Sequence, residues 1–232
     1  MERDQFLKNI ADRLGRPTNE NAPSRSVIGV TEKYASRPFG NEEIATSDWP
    51  EYYSNQLESI GGKAHICETA AVAAAVIGVI ISETEGEHIV TWDRNEFAGW
   101  DLDFLWEQKG AIPFIRTGQN SNARDLTSII RSAHIGITSV DFAVVNTGSI
   151  VLYTNASRNR SVSLLPSLHI ALVRESQLVA RLGEDLPISY SGVFPSSIHI
   201  ITGPSRSADI ENDLSIGVHG PAAVTVVICK GL

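Results

Sequence analysis

Cysteine is scarce in this chain. Cys67 and Cys229 are the only two among 232 residues, and no Cys-x-x-Cys spacing occurs. Four-cysteine ligation of an iron–sulfur cluster within one chain is thereby excluded, and a cysteine-rich zinc site is disfavoured. Both cysteines fall at the ends of expected strands, where a small buried hydrophobe is the default role. Free thiols in a reducing compartment are the simpler reading, with a disulfide between them left open. Excess positive charge is missing too. Nineteen Lys and Arg stand against 27 Asp and Glu, for a formal net charge of -8, so the broad cationic surface that nucleic-acid phosphates demand is not expected. Long hydrophobic runs are also lacking: the most apolar stretch, Ala70 to Ile81, is too short to cross a bilayer. Residues 1–16 carry Glu2, Asp4 and Asp12 and have no continuous apolar core of the kind an export signal needs. A cytoplasmic protein without membrane insertion is expected. The phosphate-loop, dinucleotide-fingerprint and serine-hydrolase elbow motifs are absent. The six histidines include no His-x-x-x-His pair, and no metal site is expected.

What is present reads as a folded α/β protein. Apolar residues make up 42% and charged residues 20% of the chain, the balance of a globular domain. The length is that of a large single domain. Phe6, Ile10 and Leu14 recur at four-residue spacing before Gly15-Arg16-Pro17, which predicts an amphipathic helix over 2–14. Residues 16–46 lack a sustained period and read as an extended arm. The helix stripe needs a surface to cover it, either the domain itself or a second subunit. The expected division is therefore an N-terminal helix and arm over 1–46 and one α/β domain over 47–232.

From Ser47 the pattern alternates. Ser47 or Asp48 can cap a helix with Pro50 in its first turn, and residues 64–67 then read as a strand. Thr69 caps an alanine-rich helix to about Ile81. Strands are expected at 88–92 and 112–116, with helices at 101–108 and 122–132. The second half is richer in strand: 142–145 and 150–153 flank an Asn146-Thr147-Gly148-Ser149 turn, and further strands fall at 168–173, 198–201 and 224–229. A helix is expected at 176–182. Alternating apolar strands and helices indicate a largely parallel sheet covered on both faces.

Four groups could carry chemistry. The Asn146-Thr147-Gly148-Ser149 turn can present side-chain oxygens and amides to a ligand, with Asp141 just before it; the same residues equally suit a turn that needs positive φ. Arg158 and Arg160, in a polar loop, can hold a carboxylate or phosphate through paired hydrogen bonds. Gly203-Pro204 followed by Ser205-Arg206-Ser207, with Asp209, Glu211 and Asp213 beyond, reads as a loop leading into a helix start, where free amides can receive an anion. His169 and His219 lie near strand–loop junctions and are the candidates for proton transfer. All four groups are expected to surround one pocket.

Taken together, GITSVDFAVVNTGSIVL (136–152), SLLPSLHIALV (163–173) and ITGPSRSADIENDLSIGVHGP (201–221) resemble the lactate-utilisation C proteins, the LUD-domain family. The opening FLKNIADRLGRP resembles that family's first helix. The resemblance implies a three-layer α/β/α fold like that of the ribose-phosphate isomerase, glucosamine-phosphate deaminase and CoA-transferase group. It also implies a role in oxidising L-lactate to pyruvate, alongside companion proteins that carry iron–sulfur ligands, with no cofactor on this chain. Many relatives have Glu-Thr-Gly-Thr where this chain has Asn146-Thr147-Gly148-Ser149, so the glutamate nucleophile of CoA-transferases has no counterpart here. A free-standing enzyme on a sugar phosphate or acyl-CoA, and a non-catalytic scaffold subunit whose arm docks partner proteins, are the competing expectations; the arm can also join copies of the chain into a homo-oligomer.

Overall fold

Pro50 opens the first long helix, α1 (Trp49–Ser59), where a missing N–H costs nothing. Pro50, Tyr53 and Leu57 form its buried stripe. The computed structural model describes residues 5, 9, 13, 44–84, 88–113, 123–182, 195–208, 214–216 and 220–232. The chain divides into two units, Met1–Gly40 and Asn41–Leu232. In the first, Gln5, Asn9 and Arg13 are helical and exposed, as the polar face of the expected helix requires. Its apolar stripe of Phe6, Ile10 and Leu14, and most of the arm, lie outside the described residues.

In the second unit, β1 (Lys63–Cys67) follows α1. Thr69 then caps α2 (Ala70–Glu83), its Oγ1 accepting from the Val72 amide at 3.3 Å. Next come β2 (Ile89–Thr91), α3 (Asp103–Glu107), β3 (Ile112–Pro113), α4 (Ala123–Ser132), β4 (Ile135–Ser139), β5 (Phe142–Val144), β6 (Ser149–Thr154), α5 (Ser161–Leu164) and β7 (Leu168–Arg174). The chain closes with β8 (Leu178–Val179), β9 (Ser197–Ile201), β10 (Arg206–Ala208), β11 (Leu214–Ile216) and β12 (Ala223–Cys229).

Six strands form one parallel sheet in the order β1-β12-β7-β4-β2-β3. Its central strands are apolar on both faces: β4 is buried throughout, and β7 and β12 are buried except at one end. Residues paired across parallel strands project to the same face. One face carries His65 and Thr225, which share a groove with the residues of α2. The other carries Gly136, His169 and Val224, and α5 lies directly on it. A side chain at Gly136 would collide with the Val162 carbonyl, so only glycine permits that approach. Helices on both faces make the α/β layering that the alternating pattern predicts.

The β-rich second half builds a separate four-stranded sheet, β8-β5-β6-β9. Phe142, Val144 and Val151 form its apolar cluster, with Tyr153 edge-on to Phe142 at 6.1 Å between ring centroids. Two expectations are corrected here. Residues 176–182 instead give a short 3-10 turn, Glu175–Gln177, and then β8, because Leu178 and Val179 pair with Ala143 and Val144. Where a loop leading into a helix start is expected after Ser205, Arg206–Ala208 is strand instead and pairs antiparallel with Leu214–Ile216, while Asp209, Glu211 and Asp213 lie outside the described residues. Among the described residues no helix is long and apolar enough to cross a membrane.

Candidate functional site at the sheet switch point

Strand order locates the ligand-facing crevice of an open parallel sheet. From β2 the chain goes to β3 on one side, then returns to β4 on the other. The reversal opens a crevice beyond the carboxyl ends of β2 and β4. Trp92 and Asp93 follow β2 there, and Asp141 follows β4. The polar loop after β6 fills this end. Asn155 Oδ1 accepts the Ser157 and Arg158 amides at 2.8 and 3.0 Å, and Asn159 Oδ1 accepts the Ser161 amide at 2.9 Å. Such side-chain-to-backbone turns hold the loop without a ladder. Buried Trp92 ties the loop down, its Nε1 donating to the Asn159 carbonyl at 3.0 Å.

Arg158 bridges the two strand ends. Its Nε donates to Glu96 Oε2 at 2.7 Å, and its NH1 to Asp141 Oδ1 at 2.8 Å. The guanidinium carbon stands 5.2 Å from the Trp92 ring centroid, a cation–π distance. Asp141 Oδ2 also accepts the Tyr153 amide at 2.6 Å. The three charged side chains are 18 to 21% exposed, so solvent screens them only in part. Burial pushes the Asp141 carboxyl up, opposed by the Tyr153 amide and by Arg158. For Arg158 the two carboxylates outweigh burial and raise its affinity for the proton. Arg158 is thus a strut within the site, its charge already matched.

Beside the strut lies a polar pocket of about 190 Å3, lined by Thr154, Asn155, Arg158, Asn159, Arg160, Ser196 and Ser197. Thr154 Oγ1 lies 2.6 Å from Ser197 Oγ and 3.0 Å from Ser196 Oγ, and Ser197 Oγ lies 2.8 Å from His199 Nε2. Burial first, and then the charge of Arg160, lower the proton affinity of His199. A neutral imidazole at that distance can take a hydroxyl proton. Exposed Arg160 supplies a cation and the serines and threonine supply hydroxyls. The arrangement suits a small anion such as a carboxylate.

The other expected site residues lie elsewhere. The Asn146-Thr147-Gly148-Ser149 turn sits at the opposite end of β6 from the arginine loop, about 17 Å away by strand rise. Gly148 has φ 63, and a side chain there would collide with the backbone of Gln56 and Leu57 in α1. Ser149 Oγ lies 2.8 Å from both Thr147 Oγ1 and Thr202 Oγ1. The Ser205 amide donates to the Pro221 carbonyl at 2.9 Å, just ahead of β12, and exposed Arg206 lies over the Gly61 turn before β1. These groups flank the amino ends of the parallel strands. Ser207 contributes its backbone to β10. His169 is fully buried in β7, its Nε2 2.9 Å from Thr138 Oγ1, and burial takes its pKa to about 3. A histidine so neutral and enclosed is core. Asp209 and His219 lie outside the described residues. The four expected groups therefore do not form one pocket. Of them, the structure brings Arg158 and Arg160 together with residues that sequence reasoning passed over: Glu96, Trp92, Ser196, Ser197 and His199. Ser197 and His199 had a readable signal, since residues two apart on a strand share a face.

A larger apolar groove of about 1000 Å3 runs along α2 past Lys63, Leu168 and Ala223. Those residues begin β1, β7 and β12, so the groove lies at the end of the sheet away from the switch-point crevice. Among the described residues no group of three or more His, Cys, Asp or Glu could hold a metal ion.

The LUD domain family profile matches residues 51–229. A protein named Lactate utilization protein C from Geobacillus sp. (strain WCH70) is 29% identical over 97% of this chain and 95% of its own length. Another of that name, from Exiguobacterium sp. (strain ATCC BAA-1283 / AT1b), is 30% identical over 99% of this chain and 96% of its own. Among solved structures, a DUF162 family protein from Deinococcus radiodurans is similar with a TM-score of 0.55 and 17% identity, covering 81% of this chain and 100% of that one. That likeness concerns the fold alone. The profile match spans the parallel sheet from α1 to β12, the switch-point crevice included, and the chain belongs to the LUD-domain family.

Proposed function

We propose that this protein is a cytoplasmic subunit of a bacterial system that oxidises L-lactate to pyruvate. It binds a small anionic ligand and acts with iron–sulfur partner proteins. The observation that carries the reading is the near full-length similarity to proteins named Lactate utilization protein C. Cysteine content supports the division of labour. Lactate gives up two electrons and two protons on becoming pyruvate, and two cysteines cannot provide four thiolate ligands for a cluster. An acceptor elsewhere in the assembly takes the electrons. Within this chain, the pocket at Arg160 is the ligand site we favour, because it adjoins the Arg158 strut that ties into the switch point and offers a cation beside three hydroxyls.

Deleting the gene from a bacterium that grows on L-lactate tests the reading. Loss of growth on L-lactate with growth on glucose intact, together with co-purification of cysteine-rich partners, is the expected result. Undiminished growth on L-lactate would overturn it. Turnover of a sugar phosphate or acyl-CoA by the isolated chain would instead make it a free-standing enzyme.

A further inference from the structure

The two cysteines, 162 positions apart in sequence, are direct neighbours in the fold: Cys67 ends β1, Cys229 ends β12, and they pair in register across parallel strands. Side chains so paired project to the same face of the sheet. Adjacent strands lie about 4.8 Å apart, inside the span of about 4.4 to 6.8 Å between Cα atoms that a disulfide bridges, and closure draws the Cβ atoms from about that spacing to the roughly 3.5 to 4.5 Å the bond requires. Both are free thiols, Cys67 2% and Cys229 0% exposed. The residues that follow them hold the register. The Lys230 amide donates to the Cys67 carbonyl at 2.9 Å, and Lys230 Nζ lies 3.4 Å from Glu68 Oε1 and 3.3 Å from Glu51 Oε1. Gly231 lies so close to the Glu68 carbonyl that a side chain there would collide with it. The fold therefore presents two thiols side by side, on a strand pair clamped just beyond them.

We propose that Cys67 and Cys229 form a redox-active dithiol, closing to a disulfide that staples β1, an edge strand of the parallel sheet, to β12. The oxidant is a small disulfide. Cys67 as thiolate attacks one of its sulfurs and releases the first external thiol. Cys229 as thiolate then attacks Cys67 Sγ and releases the second. The protein loses two electrons and two protons, and the external disulfide gains them as two thiols. Cys67 is the entry point because, among the described residues, β1 has β12 as its one strand neighbour within the parallel sheet, so local opening at the edge exposes Cys67 first. Burial, with Cys229 and Glu68 adding to it, pushes the Cys67 thiol up, so the exchange is slow at neutral pH and quickens in alkali.

The test is equilibration of the full chain with reduced and oxidised glutathione, below its unfolding temperature and again in concentrated guanidinium, followed by intact mass. The expected product is an internal disulfide, read as a loss of about 2 Da. Its equilibrium constant in the folded chain should exceed that in the denatured chain by roughly 100-fold, because the fold holds the thiols together. Near-ultraviolet circular dichroism must show the oxidised chain folded, and Cys67→Ser and Cys229→Ser must each abolish the mass loss. A folded-state constant at or below the denatured one would overturn the proposal. A glutathione adduct in place of the internal bond would overturn it equally.

Discussion

At the scale of single residues, the contrast between Arg158 and Arg160 separates structure from ligand chemistry. Arg158→Ala leaves Glu96 and Asp141 facing each other without their cation. A loss of about 2 kcal/mol is expected in urea unfolding, between the values for exposed and fully buried pairs. Arg160 is exposed, and Arg160→Ala is expected to shift stability by less than about 0.5 kcal/mol. His169 gives a pH signature. Its folded value near 3 lies below the ordinary 6.5, so the unfolded chain takes up a proton that the folded chain refuses. Stability then falls as pH drops from 6.5 toward 3, by up to about 1.4 kcal/mol per pH unit. Between pH 7 and pH 5 His169 accounts for about 2 kcal/mol of lost stability, which His169→Gln should remove; parallel curves for variant and wild type would refute it. Gly148→Ala forces a side chain onto the Gln56–Leu57 backbone at φ 63. It should cost more than about 2 kcal/mol, read as a lowered denaturant midpoint at unchanged slope.

At the scale of elements, local signals were legible where one segment decides its own structure. Thr69 before an alanine-rich run gave α2, and Thr69→Ala should lower stability by about 1 kcal/mol in thermal melts through loss of the Val72 amide bond. Pro50 near a capping position gave α1, and the β-branched run 224–229 gave the last strand. Elements decided by distant partners were not legible. Leu178 and Val179 become strand because β5 offers them an open edge, which the local pattern of 176–182 does not reveal. Ser205-Arg206-Ser207 reads as a loop because the acidic residues beyond it suit a helix start, yet Arg206–Ala208 finds a strand partner in Leu214–Ile216, eight residues on. The buried strand β4 is legible only as part of a motif, since a short apolar run bounded by polar residues has no period of its own.

At the scale of the whole molecule, the α/β class followed from alternation, but the site did not follow from motif order. Residues of the 146–149 turn and of the arginine loop are close in sequence, yet β6 carries them to opposite ends of the sheet. The order β1-β12-β7-β4-β2-β3 sets the crevice between β2 and β4, and no window of sequence contains that order. Glu96, Asp141 and Arg158 meet there through contacts between residues far apart in sequence. The pocket at Arg160, beside the Arg158 strut of this crevice, is proposed to hold the ligand of a lactate-utilisation subunit. The most direct test is complementation of the deletion strain on L-lactate with wild-type protein and with Arg160→Ala, at matched protein levels. Arg160→Ala is expected to slow growth on L-lactate at least several-fold while the protein stays folded and growth on glucose is unaffected. Growth on L-lactate equal to wild type with Arg160→Ala would contradict it.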